Sequence, residues 1–145
     1  MNIKVMYHSK TGNTKKLAES MAGALGIAAE QISENSLVEP VDEPIDMLFI
    51  GDGVYVGGPD KITASFIKTL NGSLVKNAAV FGTFGGQKKA ITAMKELLKK
   101  QGINVLDESF GCRGKSWAIL NRKHPSPEDL LAANEYVKRV SRDIK

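Results

Sequence analysis

The sequence predicts an α/β fold: a three-layer sandwich in which helices cover both faces of a five-stranded parallel sheet with strand order 2-1-3-4-5. Short, almost wholly apolar runs alternate along the chain with amphipathic stretches. Strands without a polar face are typical of parallel sheets that helices cover on both sides. The chain has 145 residues, the size of one domain, so residues 1–145 are predicted to form a single unit.

The spacing of apolar residues places the predicted elements. Five strands are expected at residues 3–7, 28–32, 47–51, 78–81 and 103–110. Helices are expected at about residues 14–25, 61–70 and 87–101, and a last helix begins after residue 126. The remaining stretches are predicted to be a solvated connection at residues 33–44 and an irregular segment at residues 111–124.

Local signals mark where the predicted helices begin and end. Gly26 and Gly102 are predicted to end the first and third helices, since glycine accepts the left-handed backbone of a C-terminal cap. Ser126 is a predicted N-cap, with Pro127 at the first helical position. The inner side of this last helix is predicted to consist of Leu130, Leu131, Asn134, Val137 and Ser141.

Composition excludes several classes of protein. The hydrophobic fraction of 42% and the charged fraction of 25% are those of a globular chain rather than a disordered one. No apolar run approaches the roughly 20 residues of a membrane-spanning helix, and no secretory signal is visible. We therefore expect a cytoplasmic protein without a membrane span. One cysteine, Cys112, excludes an intrachain disulfide framework and a cysteine-only zinc site.

The net charge of +4 is unevenly distributed along the chain. Residues 36–60 hold six acids and no lysine or arginine, whereas residues 61–145 hold sixteen basic and seven acidic residues. A basic chain raises the question of nucleic-acid binding, but aromatic residues do not interleave with the basic ones. We expect no nucleic-acid partner, because many lysines fall on solvated faces of predicted helices, namely Lys88, Lys89, Lys95, Lys99 and Lys100.

The sharpest chemical signal is the loop after the first strand, Ser9-Lys10-Thr11-Gly12-Asn13-Thr14. It opens a predicted helix, whose first N–H groups and partial positive charge suit a phosphate. Hydroxyl and amide side chains add donors, and Gly12 lets the backbone turn close to an anion. The same residue types also favour an ordinary capped turn. The loop has neither P-loop spacing nor the dinucleotide-binding glycine pattern.

Residues 5–14, Val-Met-Tyr-His-Ser-Lys-Thr-Gly-Asn-Thr, resemble the FMN-phosphate signature of flavodoxins. Residues 50–55 and 80–86 resemble the second and third flavin loops of that family. Residues 112–115, together with His124-Pro125, resemble a compact short-chain flavodoxin-like subfamily. The resemblance covers nearly the whole chain. It implies a flavodoxin-like sandwich with FMN as cofactor.

The resemblance also implies a role for each loop residue. The FMN phosphate would be held by the first loop, Ser9, Lys10, Thr11, Gly12, Asn13 and Thr14. Tyr55 would stack on one face of the flavin, Phe84 would flank the other, and a peptide flip at Gly57 would serve flavin N5. The remaining implied contacts come from the second and third loops, Gly53, Val54, Val56, Thr83, Gly85 and Gly86.

The function implied by the resemblance is that of an electron carrier. The cofactor performs the redox chemistry, so no catalytic residue or metal is expected. The implied partners are a reductase and an acceptor protein, and a monomer is expected. The residues leave open an FMN-dependent reductase or oxidase that acts on a quinone or a similar small acceptor, with a substrate pocket under residues 111–124. A flavin-free receiver domain is disfavoured, because the first strand ends in Tyr7-His8-Ser9 without an acidic pair.

Two features depart from the family pattern. The chain is basic, and its third loop reads Gly85-Gly86-Gln87-Lys88-Lys89 where flavodoxins commonly carry an aromatic residue and an Asp. Lysines near the ring reduce the cost of an anionic hydroquinone, so we predict a less negative low-potential couple than in acidic flavodoxins. The residues leave open whether His8 assists the anion when protonated or is a solvated loop residue, and the second is favoured. Cys112 is predicted to be a small buried residue rather than a reactive thiol, and Asp52 with Asp60 no metal pair.

Overall fold

The computed structural model describes residues 1–10, 12–39, 41–53, 59–84, 89–113 and 125–144. The elements are β1 (Ile3–Tyr7), α1 (Asn13–Ala24), β2 (Ala29–Gln31), α2 (Glu34–Val38), β3 (Ile45–Gly53), α3 (Lys61–Ile67), β4 (Val75–Phe84), α4 (Lys89–Lys100), β5 (Asn104–Val105), β6 (Phe110–Arg113) and α5 (Pro127–Asp143). No helix within the described ranges is both long enough and apolar enough to cross a membrane.

The sheet is parallel throughout and has the order β2-β1-β3-β4, with β5 and β6 both on the outer edge of β4. The predicted order 2-1-3-4-5 is therefore confirmed. The two central strands are longer than the apolar runs predicted, because pairing extends from Ile45 opposite Val75 to Gly53 opposite Thr83. This extension carries the polar ends of β3 and β4 to one edge of the sheet.

Helices cover both faces of the sheet, which confirms the three-layer sandwich. One core lies between the sheet and helices α1 and α5, and its strand residues alternate along the chain: Val5, Tyr7, Met47, Phe49, Ala79 and Phe81. The opposite core lies between the sheet and helices α3 and α4, and it takes the intervening residues Met6, Leu48, Ile50, Ala78 and Val80. This alternation decides which side of the sheet each strand-end side chain faces.

The predicted helix ends are largely confirmed. Gly26 and Gly102 have φ angles of 73° and 79°, the left-handed values that favour glycine. Ser126 caps α5 through reciprocal bonds with Asp129, at 2.8 and 3.2 Å. The predicted inner side of α5 is wrong at Leu131, which is 60% exposed. The helical phase instead buries Ala133, Tyr136, Val137 and Val140.

The predicted solvated connection at residues 33–44 is exposed or half-buried at every described residue, and it also contains the short helix α2. Ser33, whose N–H donates to Ser36 Oγ at 3.0 Å, caps this helix. The fifth strand predicted at residues 103–110 is two strands. Ala78 pairs with Val105 and Phe81 with Phe110, so the outer chain holds two residues more than β4 over this distance and breaks its pairing there. Of the predicted irregular segment, residues 111–113 belong to β6 and residues 114–124 lie outside the described part.

The chain between β5 and β6 leaves β4 after Leu106, whose N–H donates to the Ala78 oxygen at 2.9 Å, and its next residues bond to helices. The Lys95 ammonium of α4 donates to the Asp107 oxygen at 2.6 Å, and α5 contacts Glu108. The Tyr136 hydroxyl donates to the backbone oxygen of Glu108 at 2.8 Å. The Arg139 guanidinium bonds both oxygens of the Glu108 carboxylate, at 2.7 and 2.6 Å. Burial raises the pKa of Tyr136 well above its ordinary value, so its hydroxyl remains a donor at all ordinary pH values.

Tyr136→Phe should lower the free energy of unfolding by about 1 kcal/mol, because it removes this donor and leaves the Glu108 carbonyl without it. The phenyl ring keeps its edge contact with Phe49, at 6.2 Å between centroids. Tyr7→Phe is the matched control, since Tyr7 is buried in the same core and its hydroxyl bonds to no described residue. Equal losses in the two variants on urea unfolding would contradict the role given to the hydroxyl.

Candidate functional site

The carboxyl ends of β1, β3 and β4 lie together at one edge of the sheet, the edge at which ligands bind in open α/β folds. The His8 N–H extends the β1–β3 pairing by donating to the Gly51 oxygen at 3.0 Å. The first predicted loop is described except for Thr11. The predicted ring contacts Val54, Tyr55, Val56, Gly57, Gly85 and Gly86 lie outside the described residues.

Helix α1 begins without a side-chain cap. Its N-cap is Gly12, with φ of 89°, and the first helical bond runs from the Lys16 N–H to the Gly12 oxygen at 3.1 Å. The N–H groups of the first turn therefore have no partner in the helix itself. Helices α3 and α5 differ, since Asp60 and Ser126 accept bonds at their starts. An open helix start of this kind suits an anion.

Gly12 has space for a side chain among the described residues. A methyl group built on Gly12 would meet no heavy atom within 4 Å among the described residues. A hydrogen bond within the loop stabilises the turn, because Ser9 Oγ accepts from the Gly12 N–H at 2.9 Å. The Ser9 hydroxyl proton is not used in that bond and remains available to a ligand.

Two buried hydroxyls join this helix start to the end of β4. Thr14 Oγ1 and Thr83 Oγ1 are 2.8 Å apart, and both residues are buried. One hydroxyl proton lies between the two oxygens, so the second is free to be donated elsewhere. The buried Asn13 carboxamide bonds to no described residue. We call the set Ser9, Gly12, Asn13, Thr14 and Thr83 the cradle.

Three further predicted residues that the structure describes, Lys10, Gly53 and Phe84, lie near the cradle in the chain or in the sheet. Lys10 is 58% exposed at its side chain, and its ammonium lies 3.2 Å from Asp60 Oδ2 at the start of α3. Gly53 and Phe84 are the last residues of β3 and β4. The structure thus gathers Ser9, Gly12, Asn13, Thr14 and Thr83 at one place and directs the Lys10 ammonium to Asp60.

A buried ionisable pair lies beside the cradle. His8 Nδ1 is 3.2 Å from Asp52 Oδ1, and His8 Nε2 is 4.0 Å from Asp60 Oδ1. Asp52 is only 2% exposed and also accepts the Gly53 N–H at 2.7 Å and the Asp60 N–H at 2.8 Å. The expectation of a solvated His8 is wrong, because residue 8 continues the buried face of Met6.

Opposing effects set the ionisation of the two acids. Burial raises the pKa of Asp52, and the backbone N–H groups and His8 offset this only in part. The Thr63 hydroxyl also lowers the pKa of that carboxyl, although no hydrogen bond of regular geometry joins the two. The pKa of Asp60 is lowered, chiefly because its carboxylate accepts the Ile62 N–H and then because of Lys10.

Sequence reasoning missed this pair. Met6 lies opposite Ile50 in the β1–β3 ladder, so His8 and Asp52, two residues further along each strand, face the same side of the sheet. The sequence does contain a signal: a polar residue directly follows each of two apolar runs, His8 after residues 3–7 and Asp52 after residues 47–51. Reading it requires the strand register, which apolar runs alone do not fix.

Comparisons with known proteins show the family to which the chain belongs. A family model described as a flavodoxin domain matches residues 4–129. An uncharacterized protein of Methanocaldococcus jannaschii is 30% identical over 138 residues, covering 88% of this chain and 89% of that protein. The flavodoxin-like domain-containing protein BilS of Clostridioides difficile is 30% identical over 141 residues, covering 93% of this chain and 78% of BilS.

A solved structure has the same fold as this chain. A short-chain flavodoxin associated with a non-canonical PDU bacterial microcompartment superposes with a TM-score of 0.75 at 17% identity, over 100% of both chains.

Proposed function

We propose that this chain, which belongs to the flavodoxin domain family, binds FMN at the carboxyl edge of its sheet and carries electrons between redox proteins. The observation that supports this most is the open start of α1 at Gly12, whose first turn carries the buried Thr14 hydroxyl in contact with that of Thr83. This donor set fits a phosphate monoester, because it offers backbone N–H and side-chain O–H groups at a helix start without a side-chain cap.

The cradle would hold the phosphate of FMN. Backbone N–H groups of the first turn of α1 donate to the phosphate oxygens, and the helix dipole favours the negative charge. Hydroxyl protons of Ser9 and of the Thr14–Thr83 pair add further donors. Bound FMN supplies the redox chemistry. The proposed side-chain and backbone contacts of the phosphate are Ser9, Lys10, Thr11, Gly12, Asn13 and Thr14.

The flavin ring would lie between the segments that follow β3 and β4. We propose Tyr55 for stacking on one face, Phe84 for the other face and Gly57 for a backbone bond to flavin N5. The backbone would approach the ring where small residues follow the strands. The further proposed contacts are Gly53, Val54, Val56, Thr83, Gly85 and Gly86.

The proposed partners are a reductase that supplies electrons and a protein that accepts them. The basic charge of residues 61–145 suits partners with acidic faces, and we propose that the protein acts as a cytoplasmic monomer. An electron carrier needs no substrate pocket of its own, since the flavin edge exchanges electrons directly with the partner.

Titration of the apoprotein into FMN should quench flavin fluorescence with one-to-one stoichiometry. Thr83→Val should weaken binding about tenfold, because it removes a hydroxyl worth about 1.4 kcal/mol to a charged ligand. Thr69→Val is the matched control, since its hydroxyl donates to the Phe66 oxygen at 2.7 Å away from the cradle. Unchanged FMN fluorescence with wild-type protein at micromolar concentration would overturn the proposed cofactor.

A second measurement separates a carrier from an enzyme. We expect the FMN-loaded protein to be reduced slowly by NAD(P)H alone and rapidly once a flavin-dependent reductase is added. Steady turnover of a quinone with NAD(P)H and no second protein would contradict the carrier and favour an FMN-dependent reductase.

A further inference from the structure

One carboxylate outside the cradle contacts three chain segments at the carboxyl edge. Asp52 ends the buried face of β3 and accepts N–H groups from Gly53 on one side and from Asp60 on the other. Its Oδ1 also contacts His8, at the end of β1. These contacts fix both ends of the segment 53–60, whose residues 54–58 lie outside the described part, against the strand that leads into the cradle.

We propose that Asp52 is a positioning residue for the flavin: with His8 it holds the two ends of segment 53–60 in place and thereby raises the affinity for FMN. The inference rests on the proposed function, because that segment carries the proposed contacts of the ring. Asp52 itself is buried and makes no direct contact in this role. When Gly53 and Asp60 are already held in place, less of the binding free energy is spent on placing the two ends of the segment, so binding is stronger.

The geometry argues against Asp52 as an ordinary structural group. A buried carboxylate costs desolvation energy. On the other face of β3, the residues nearest the same strand end are the apolar Phe49 and the small Gly51. Asp52 meets this cost by accepting two N–H groups that are seven residues apart. The Gly53 N–H bonds to Oδ1 and the Asp60 N–H to Oδ2, so the role needs an acceptor at both positions, and an amide side chain has a donor at one of them.

Several charges face the Asp52–His8 pair from the surrounding elements. Asp60, at the start of α3, lies 4.0 Å from His8 Nε2, and Lys10 pairs with Asp60 from the loop after β1. Glu34, at the start of α2, lines the same surface groove as His8. These are the charged groups that face the pair from α2, α3 and the loop after β1 among the described residues.

The test uses the full chain with and without FMN. In the apoprotein, the amide proton signals of Gly53 and Asp60 should move with pH through a common midpoint, because both donate to one titrating carboxylate. In Asp52→Asn neither signal should follow that titration, and both amides should exchange faster with solvent. The Kd for FMN should rise at least tenfold, since the amide side chain can accept from only one of the two N–H groups.

A second variant covers the case in which Asp52→Asn does not fold. His8→Gln keeps a donor but removes the ionisable ring, and it should raise the Kd for FMN about threefold. The double variant should bind FMN within about twofold of Asp52→Asn alone, because both changes remove the same His8–Asp52 interaction. Asp46→Asn is the matched control: its carboxylate accepts the Asn2 N–H at the opposite end of β3, and FMN affinity should not change.

The outcomes separate the two proposals. If Asp52→Asn and His8→Gln bind FMN as tightly as Asp46→Asn does, the positioning role is overturned. The same holds if the Gly53 and Asp60 amides do not respond to the Asp52 substitution. If the wild-type protein fails to bind FMN, the proposed function fails, while the amide titration in the apoprotein still tests whether Asp52 fixes the ends of segment 53–60.

Discussion

Replacing Gly12 by alanine should weaken FMN binding by about 100-fold, or roughly 2.7 kcal/mol. Gly12 has φ of 89°, and an L-residue pays about 1–2 kcal/mol in that conformation. Alanine relieves the strain by turning the backbone toward negative φ, which redirects the N–H groups at the start of α1. Each charge-assisted bond to the phosphate is worth about 1.5–3 kcal/mol, so the loss of one or two accounts for the expected change.

Gly26→Ala is the matched control for this substitution. Gly26 has φ of 73°, and a methyl group there also meets no heavy atom within 4 Å among the described residues. Both variants should therefore lose about 1–2 kcal/mol of unfolding free energy from backbone strain alone. Only Gly12→Ala should lose FMN affinity, because Gly26 follows the C-terminal end of the same helix.

Fluorescence titration with FMN and urea unfolding of both apoproteins make the comparison. Equal FMN affinity in the two variants would contradict the assignment of the phosphate to the start of α1. A loss of affinity in both would show that α1 as a whole, rather than its first turn, controls binding.

The covered parallel sheet and the first loop could be predicted from the sequence because each depends on local pattern, and the strand order follows from the doubly wound architecture. Apolar runs without a polar face require a covered parallel sheet, and the loop after β1 combines residue types that both turn the chain and donate to an anion. The start of α5 is likewise a local matter, since Ser126, Pro127 and Asp129 are neighbours. These features needed no knowledge of which residues meet across the fold.

The rest depends on register between elements distant in sequence. The Thr14–Thr83 contact joins residues 69 positions apart, and the His8–Asp52 contact joins residues 44 positions apart. The fifth strand is divided because the outer chain has two more residues between Val105 and Phe110 than β4 has between their partners, Ala78 and Phe81. Composition and periodicity do not fix such distances, because a shift of one residue moves every side chain to the opposite face.

Gly51→Ala should lower the free energy of unfolding by about 2–3 kcal/mol, a large effect for one methyl group. Gly51 lies opposite Phe81 in the β3–β4 ladder, and the Phe81 ring covers it. A methyl group on Gly51 would lie 2.5 Å from Phe81 Cζ, well below the van der Waals contact distance of two carbon atoms. The ring is fully buried, so it has no free space into which to move.

Gly23→Ala is the matched control, because it makes the same glycine-to-alanine change without a steric clash among the described residues. Gly23 lies within α1, and a methyl group there meets no heavy atom within 4 Å among the described residues. This variant should gain about 0.5–1 kcal/mol, since alanine loses less backbone freedom than glycine in a helix. Opposite signs are therefore expected for the same substitution at two glycines of one chain.

The double variant Gly51→Ala with Phe81→Leu tests whether the ring is the cause. Phe81→Leu alone leaves space in the core and should cost about 1–3 kcal/mol. The added methyl group fills part of that space, so the double variant should be more stable than the sum of the two losses predicts. Additive losses would mean that alanine at position 51 acts through the backbone instead. Because the Gly51 oxygen accepts the His8 N–H and Asp52 follows directly, such a backbone shift would also weaken the hold on segment 53–60.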